Sequence, residues 1–155
     1  MKKQKGFSLI ELLIVVAIIL IIAAIAIPNL IKSKMAANES SSVGSVRTIN
    51  TGEVNYAASC PAIGFSTNLA GLNTGGGCAG GVGIIDAVLG GGAKSGYVFA
   101  EAGVVGGDAL NDTYTTTGVP ATIGTTGQRG FYSDQTGVIR YTLTGAAPTV
   151  ASPAL

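Results

Sequence analysis

The sequence predicts an α+β protein: a long N-terminal helix, apolar in its first half and amphipathic in its second, packed on a small antiparallel β-sheet head. Three observations predict it. From Phe7 to Ile27 only Ser8 and Glu11 are polar. Residues 29–58 keep an apolar stripe at helical spacing. From Tyr97 onward the period changes to two, in segments rich in β-branched and aromatic residues.

The apolar run comes first. As a helix, Phe7–Ile27 rises about 31 Å, which matches a hydrocarbon core ~30 Å thick. Lys2, Lys3 and Lys5 precede it and no lysine or arginine lies within it, so the N-terminus is expected in the cytoplasm and the remainder outside. The run is too long for the apolar core of a cleavable secretory signal, and Pro28 follows the small residues of "AIA" at 24–26 almost at once. A plain signal anchor fits the length but leaves Glu11 unexplained, since an ionised carboxylate at mid-bilayer costs roughly 3 kcal/mol. The remaining reading is a retained helix processed at its very start. Pro28 removes a hydrogen bond to the carbonyl of Ala24, and so predicts either a gentle kink or a local break in one helix over roughly 7–58.

In the second half of that helix, Met35, Val43, Val46, Ile49, Val54 and Ala57 fall on one face, with Ser41, Ser45, Thr48 and Asn55 opposite. Glu39 and Asn50 intrude on the apolar face. Residues 59–95 mix turn residues with short apolar patches and read as a loop region, in which "IIDAVL" (84–89) fits one helical turn or a short strand equally well. Cys60 and Cys78, an even count in an exported segment, read as one disulfide worth about 3 kcal/mol, against the alternative of two unpaired buried thiols. "GYVFAEA" from Tyr97 alternates as a strand should. "TYTTTGVPATI" is β-branched, with Pro120 marking an edge or a break. Phe131–Ser133 and Val138–Leu143 form a hairpin around "DQTG". The C-terminal "TGAAPTVASPAL" has two prolines and no pattern, and is expected to be partly disordered.

Composition narrows the function. The chain of 155 residues has no His and no Trp, 11% charged residues and a net charge of +1. That balance argues against a nucleic-acid binder working by general electrostatics, so nucleic acid is not indicated as a partner. The commonest general base and metal ligand is missing, and no cofactor is called for. Without the first three lysines the body carries six basic and eight acidic side chains. Asp108, Asn111 and Asp112 are weak candidates for a calcium loop, but three side chains fall short of the six to eight oxygens calcium takes, and a solvated turn explains them. "TGGGCAGGVG" lacks the Lys and Ser/Thr of a phosphate loop. Tyr97, Phe99, Phe131, Tyr132 and Tyr141 are expected in the core and on the sheet surface of the head, not in a stacked electron path.

"KGFSLIELLIVVAIILIIAAIAIPNL" resembles the N-terminal segment of the type IV pilin superfamily, which includes pilins, minor pilins and the pseudopilins of type II secretion. The resemblance covers about the first 30 residues: a basic leader ending in Gly6, Phe7 after the scissile bond, Glu11 five residues into the mature chain, and Pro28. It implies an inner-membrane prepilin peptidase that cuts between Gly6 and Phe7 and methylates the new amine of Phe7. It also implies a leader at 1–6, a membrane and filament-core helix at 7–28 and a head at 29–155. The resemblance further implies a homopolymer built through the N-terminal helices by a pilus assembly platform, with the precursor held in the inner membrane and the filament outside the cell. Glu11 would there meet the Phe7 amine of a neighbouring subunit. The alternative within the superfamily is a pseudopilin forming a periplasmic piston. A membrane-anchored enzyme is not expected, because no base, nucleophile array or metal set is visible.

Overall fold

The computed structural model describes residues 6–76, 83–107 and 110–155. In chain order its elements are α1 (Leu9–Ser59), α2 (Leu69–Thr74), α3 (Ala87–Gly90), β1 (Ala93–Lys94), β2 (Tyr97–Val105), β3 (Asn111–Pro120), β4 (Gly130–Asp134) and β5 (Arg140–Thr142). The chain divides into two compact units, Met1–Lys34 and Met35–Leu155.

The first unit contains the apolar half of α1. The helix starts two residues later than expected, at Leu9, and is continuous through Pro28, so the local break offered as one alternative is absent from this chain. From Phe7 to Ile31 every Phe, Leu, Ile and Val side chain is exposed. Leu9–Ser59 contains a stretch long and apolar enough to cross a membrane.

The second unit is built on the rest of α1, whose inward residues are Glu39, Ser42, Ser45, Val46, Ile49, Gly52, Glu53 and Tyr56. Spacings of three and four along Glu39, Ser42, Val46, Ile49, Glu53 and Tyr56 keep this row on one helix face. It differs from the expected stripe. Val54 is exposed, Met35, Val43 and Ala57 are half-buried, and Ser45 is buried instead of facing outward. Thr48 and Asn55 face outward as expected. The stripe turns because Glu39, which was expected to intrude on it, and Glu53 are both buried with partners of their own, while Asn50 is half-buried.

The head carries a five-stranded antiparallel meander in the order β1-β2-β3-β4-β5. In β2 the expected alternation appears directly: Tyr97, Phe99 and Glu101 are buried, while Val98, Ala100 and Ala102 are exposed. β3 lies between β2 and β4, and Pro120 is its last residue, so the proline marks the strand's end and not a sheet edge. β4 and β5 make the expected hairpin, with Phe131 opposite Tyr141. Its turn closes through the Gly137 amide donating to the Asp134 carbonyl at 2.9 Å. Gly137 sits at φ 72°, a left-handed conformation that disfavours side chains. All five residues of β4 are buried. Ser133 on this strand accepts a hydrogen bond from the Asn50 amide of α1 at 2.8 Å, and the Tyr114 hydroxyl donates to Asn50 Oδ1 at 3.1 Å.

Two regions are more ordered than expected. Within 59–95, α2 starts at Asn68, whose side chain accepts from the Gly71 amide, and α3 starts at Asp86, which accepts from the Leu89 amide. The ambiguous "IIDAVL" therefore contains a helical turn. Leu72, Ile85 and Leu89 from this region join Val46, Ile49, Tyr56, Phe99 and Phe131 in one core. The C-terminal segment, expected to be partly disordered, is bonded along β5. Tyr141 N–H donates to the Pro153 carbonyl at 3.0 Å, Leu155 N–H to Ile139 at 2.8 Å, and the Arg140 guanidinium to Ser152 at 2.9 Å. These are backbone partners, which a search for apolar periodicity does not detect.

Candidate functional site

The site begins with the residues ahead of α1. Gly6 and Phe7 are exposed, and neither is helical. Ser8 carries the helix start. Its carbonyl accepts the Leu12 amide at 3.3 Å, its hydroxyl accepts the Ile10 amide at 3.4 Å, and its own N–H donates to Glu11 Oε2 at 2.9 Å. Ser8 thus caps the helix through its hydroxyl on the Ile10 amide, and Glu11, three residues on, reaches back to the Ser8 amide as the acidic half of a capping box. The spacing Ser8-x-x-Glu11 is the sequence signal that announces it. Glu11 therefore has a local role, holding the first turn of α1, as well as the electrostatic role expected of it. It also lies near the helix N-terminus, where the macrodipole favours negative charge. The arrangement brings its carboxylate to the amide of Ser8, the residue that follows Phe7. A Phe7 amine, once freed, is one peptide unit from that contact.

Pro28 is inside α1 in the same unit. Cys60, in the other unit, is buried at the end of α1, with its amide donating to the Tyr56 carbonyl at 2.8 Å. Cys78, and with it the expected disulfide, lies outside the described residues, as does Asp108. Asn111 and Asp112 were expected in a loop; they instead open β3. Asn111 is buried, exchanges backbone hydrogen bonds with the 63–65 segment, and donates from Nδ2 to the Phe65 carbonyl at 2.8 Å. This bonding fastens a loop to the sheet. Among the described residues no group of three or more His, Cys, Asp or Glu is placed to hold a metal ion.

Two charged arrangements in the head were not foreseen. Glu39 accepts from Arg129 Nε at 2.7 Å and from the backbone amides of Gln128 and Arg129 at 2.8 and 3.1 Å. Burial opposes its ionisation, but the Gln128 amide and the Arg129 side chain and amide outweigh burial and hold the carboxyl below its ordinary value. Glu53 and Glu101 are the second arrangement. Glu53 is 0% exposed and Glu101 9%. Burial is the main force raising both, Glu53 to about 7 and Glu101 to about 9, and the charge of Glu53 raises Glu101 further. A shallow surface groove on α1 is lined by Arg47, Thr48, Thr51, Gly52, Asn55 and Ile84.

Comparison with known proteins bears on the N-terminal segment. Residues 1–27 match the prokaryotic N-terminal methylation motif. The type IV wide pilus major component PilA4 of Thermus thermophilus is 59% identical over 39 residues, covering 25% of this chain and 30% of that protein. The type IV major pilin protein PilA of Myxococcus xanthus is 44% identical over 54 residues, covering 35% of this chain and 24% of that protein. The matched region thus spans less than a third of either relative. No solved structure matches the chain at a significant level. Over its N-terminal segment the chain is homologous to these type IV pilins, and it carries the prepilin motif.

Proposed function

We propose that this chain is a structural subunit of an extracellular type IV pilus and not an enzyme. It is exported as a prepilin, cleaved after Gly6, methylated at Phe7 and polymerised into a helical filament through its N-terminal helices. The observation that carries the reading is the exposed apolar surface from Phe7 to Ile31, in which Glu11 is the one charged side chain. A continuous apolar patch of this kind needs a partner surface. Lipid supplies it for the precursor, with the N-terminus in the cytoplasm, and a bundle of identical helices supplies it in the filament.

In that bundle the Phe7 ammonium of an incoming subunit meets the Glu11 of a neighbour. An unpaired charge in a low-dielectric core is strongly disfavoured, so the pair sets register between subunits. Residues 1–6 are the leader, 7–28 the filament-core segment and 29–155 the head. Pro28 bends the helix gently as subunits pack, and Cys60 pairs with Cys78 to tie the glycine-rich segment. The prepilin peptidase and an inner-membrane assembly platform are the partners; adhesion, surface motility or DNA uptake is the use.

Electron microscopy of material sheared from cells separates this function from a secretion piston. Long surface filaments that bind antibody to the head are the expected result. Filaments lacking the chain, with the chain confined to the periplasm, would assign it to a pseudopilin.

A further inference from the structure

The buried carboxyls of Glu53 and Glu101 have no part in the filament reading, and they pose a separate problem. Glu53 comes from α1 and Glu101 from β2, and both lie within the head. Glu53 Oε2 accepts the Ser66 amide at 2.9 Å. Ser66 also brings β2 close to Glu53. A Cβ added at Gly103, two residues along β2 from Glu101, would lie 2.3 Å from the Ser66 carbonyl oxygen, so β2 runs directly against the turn that holds Glu53. Glu53 Oε1, both oxygens of Glu101 and the buried Thr116 hydroxyl opposite Glu101 find no hydrogen-bond donor or acceptor elsewhere among the described residues of the head, and the Glu53 and Glu101 side chains are close enough to act on each other.

The groups around the pair are of one kind. Tyr56 on α1 and Tyr114 on β3 both feel the charge of Glu53 and Glu101, and Asp134 on β4 adds to the negative potential at Tyr114. No lysine or arginine among the described residues acts on either carboxyl. Two ionised carboxylates cannot occupy such a site together, since uncompensated buried charge costs several kcal/mol. Something positive must be held there, and a proton is the smallest candidate.

We infer that Glu53 and Glu101 share one proton that locks the head, with Glu101 O–H donating to the Glu53 carboxylate, and that alkaline pH opens this lock and frees the Ser66 turn and α2 from α1. The direction of the pH effect follows from burial. Both carboxyls are raised above their ordinary value of 4.5. Their contribution to stability is therefore complete below that value and declines as pH rises, first through about 7 and finally through about 9. Each proton retained only by the folded state lowers the folded-to-unfolded ratio about tenfold per pH unit in that window. The pair titrates as a unit, so the assignment of each step to one residue is a matter of convention.

The test uses the full-length chain in a nonionic detergent. Infrared spectra at neutral pH are expected to show a protonated carboxyl stretch that disappears above about pH 9. Thermal melts followed by tyrosine near-ultraviolet dichroism are expected to fall in midpoint across the same range. Glu101→Gln, which keeps the shape and a donor to Glu53, should remove the infrared band above about pH 7 and flatten the melting profile over the same range. Glu53→Gln removes the charge of Glu53 but leaves Glu101 raised by burial, so its profile should fall less steeply than that of the wild type without becoming flat. The inference is overturned if the wild-type chain lacks the protonated band, or if Glu101→Gln keeps the wild-type pH profile. It is also overturned if added calcium raises, and a chelator lowers, the midpoint at alkaline pH, because a metal cation would then occupy the site. Should both variants fail to fold, the wild-type infrared band still decides.

Discussion

Glu11→Ala is expected to leave export and cleavage intact and to abolish filaments. Removing one partner of a desolvated charge pair costs about 3–5 kcal/mol because the other charge is left buried alone. At 1.4 kcal/mol per decade this lowers the incorporation equilibrium of each subunit by more than about a hundredfold. The capping box adds a second effect that must be separated from the first, since alanine also removes the acceptor of the Ser8 amide. Glu11→Gln makes the separation. Glutamine at this position still completes a capping box, but it brings no charge to a neighbour's ammonium. If charge pairing sets assembly, Glu11→Gln fails to form filaments as Glu11→Ala does. If it assembles like the wild type while Glu11→Ala does not, the cap is the functional element and the charge pair is not. Counting surface filaments by microscopy, with immunoblots of the processed chain as the control, reads both variants.

Phe131→Ala is expected to be the most destabilising single truncation in the head. Phe131 is fully buried in β4, with the Tyr97 ring 5.9 Å away and the Arg129 guanidinium 5.7 Å from its centroid. Replacing a buried phenylalanine by alanine costs about 3–5 kcal/mol, counting the cavity left behind. For a head of this size that lowers the melting temperature by roughly 10–20 °C. Phe131→Leu, which retains most of the volume, should cost less than about 1.5 kcal/mol. Equal midpoints for the two variants, measured by dichroism on the purified chain, would show that β4 does not carry the core.

The long helix, the strand from Tyr97 and the β4–β5 hairpin were legible because each rests on a local signal: an unbroken apolar run, a period of two, a turn sequence. The inward face of α1 was less so. A hydrophobic stripe treats Glu39, Ser42, Ser45 and Glu53 as surface residues, yet their burial depends on partners distant in sequence, Arg129 for Glu39 and Ser66 and Glu101 for Glu53. No spacing rule carries that information. Val54, apolar and exposed, was drawn into the stripe for the same reason. The bonding of residues 153–155 to β5 was hidden because it is made by backbone groups. At the helix start the opposite holds. The Ser8-x-x-Glu11 spacing is a local signal of the cap, carried by the same carboxylate whose charge stands out in the apolar run.

The central claim is that a processed apolar helix leaves lipid to join copies of itself. Mass spectrometry of the chain purified from cells tests it most directly. The account predicts a mature protein that begins at Phe7 and carries one added methyl group at its N-terminus. A chain that still begins at Met1, or one that has lost the whole apolar segment, would contradict it.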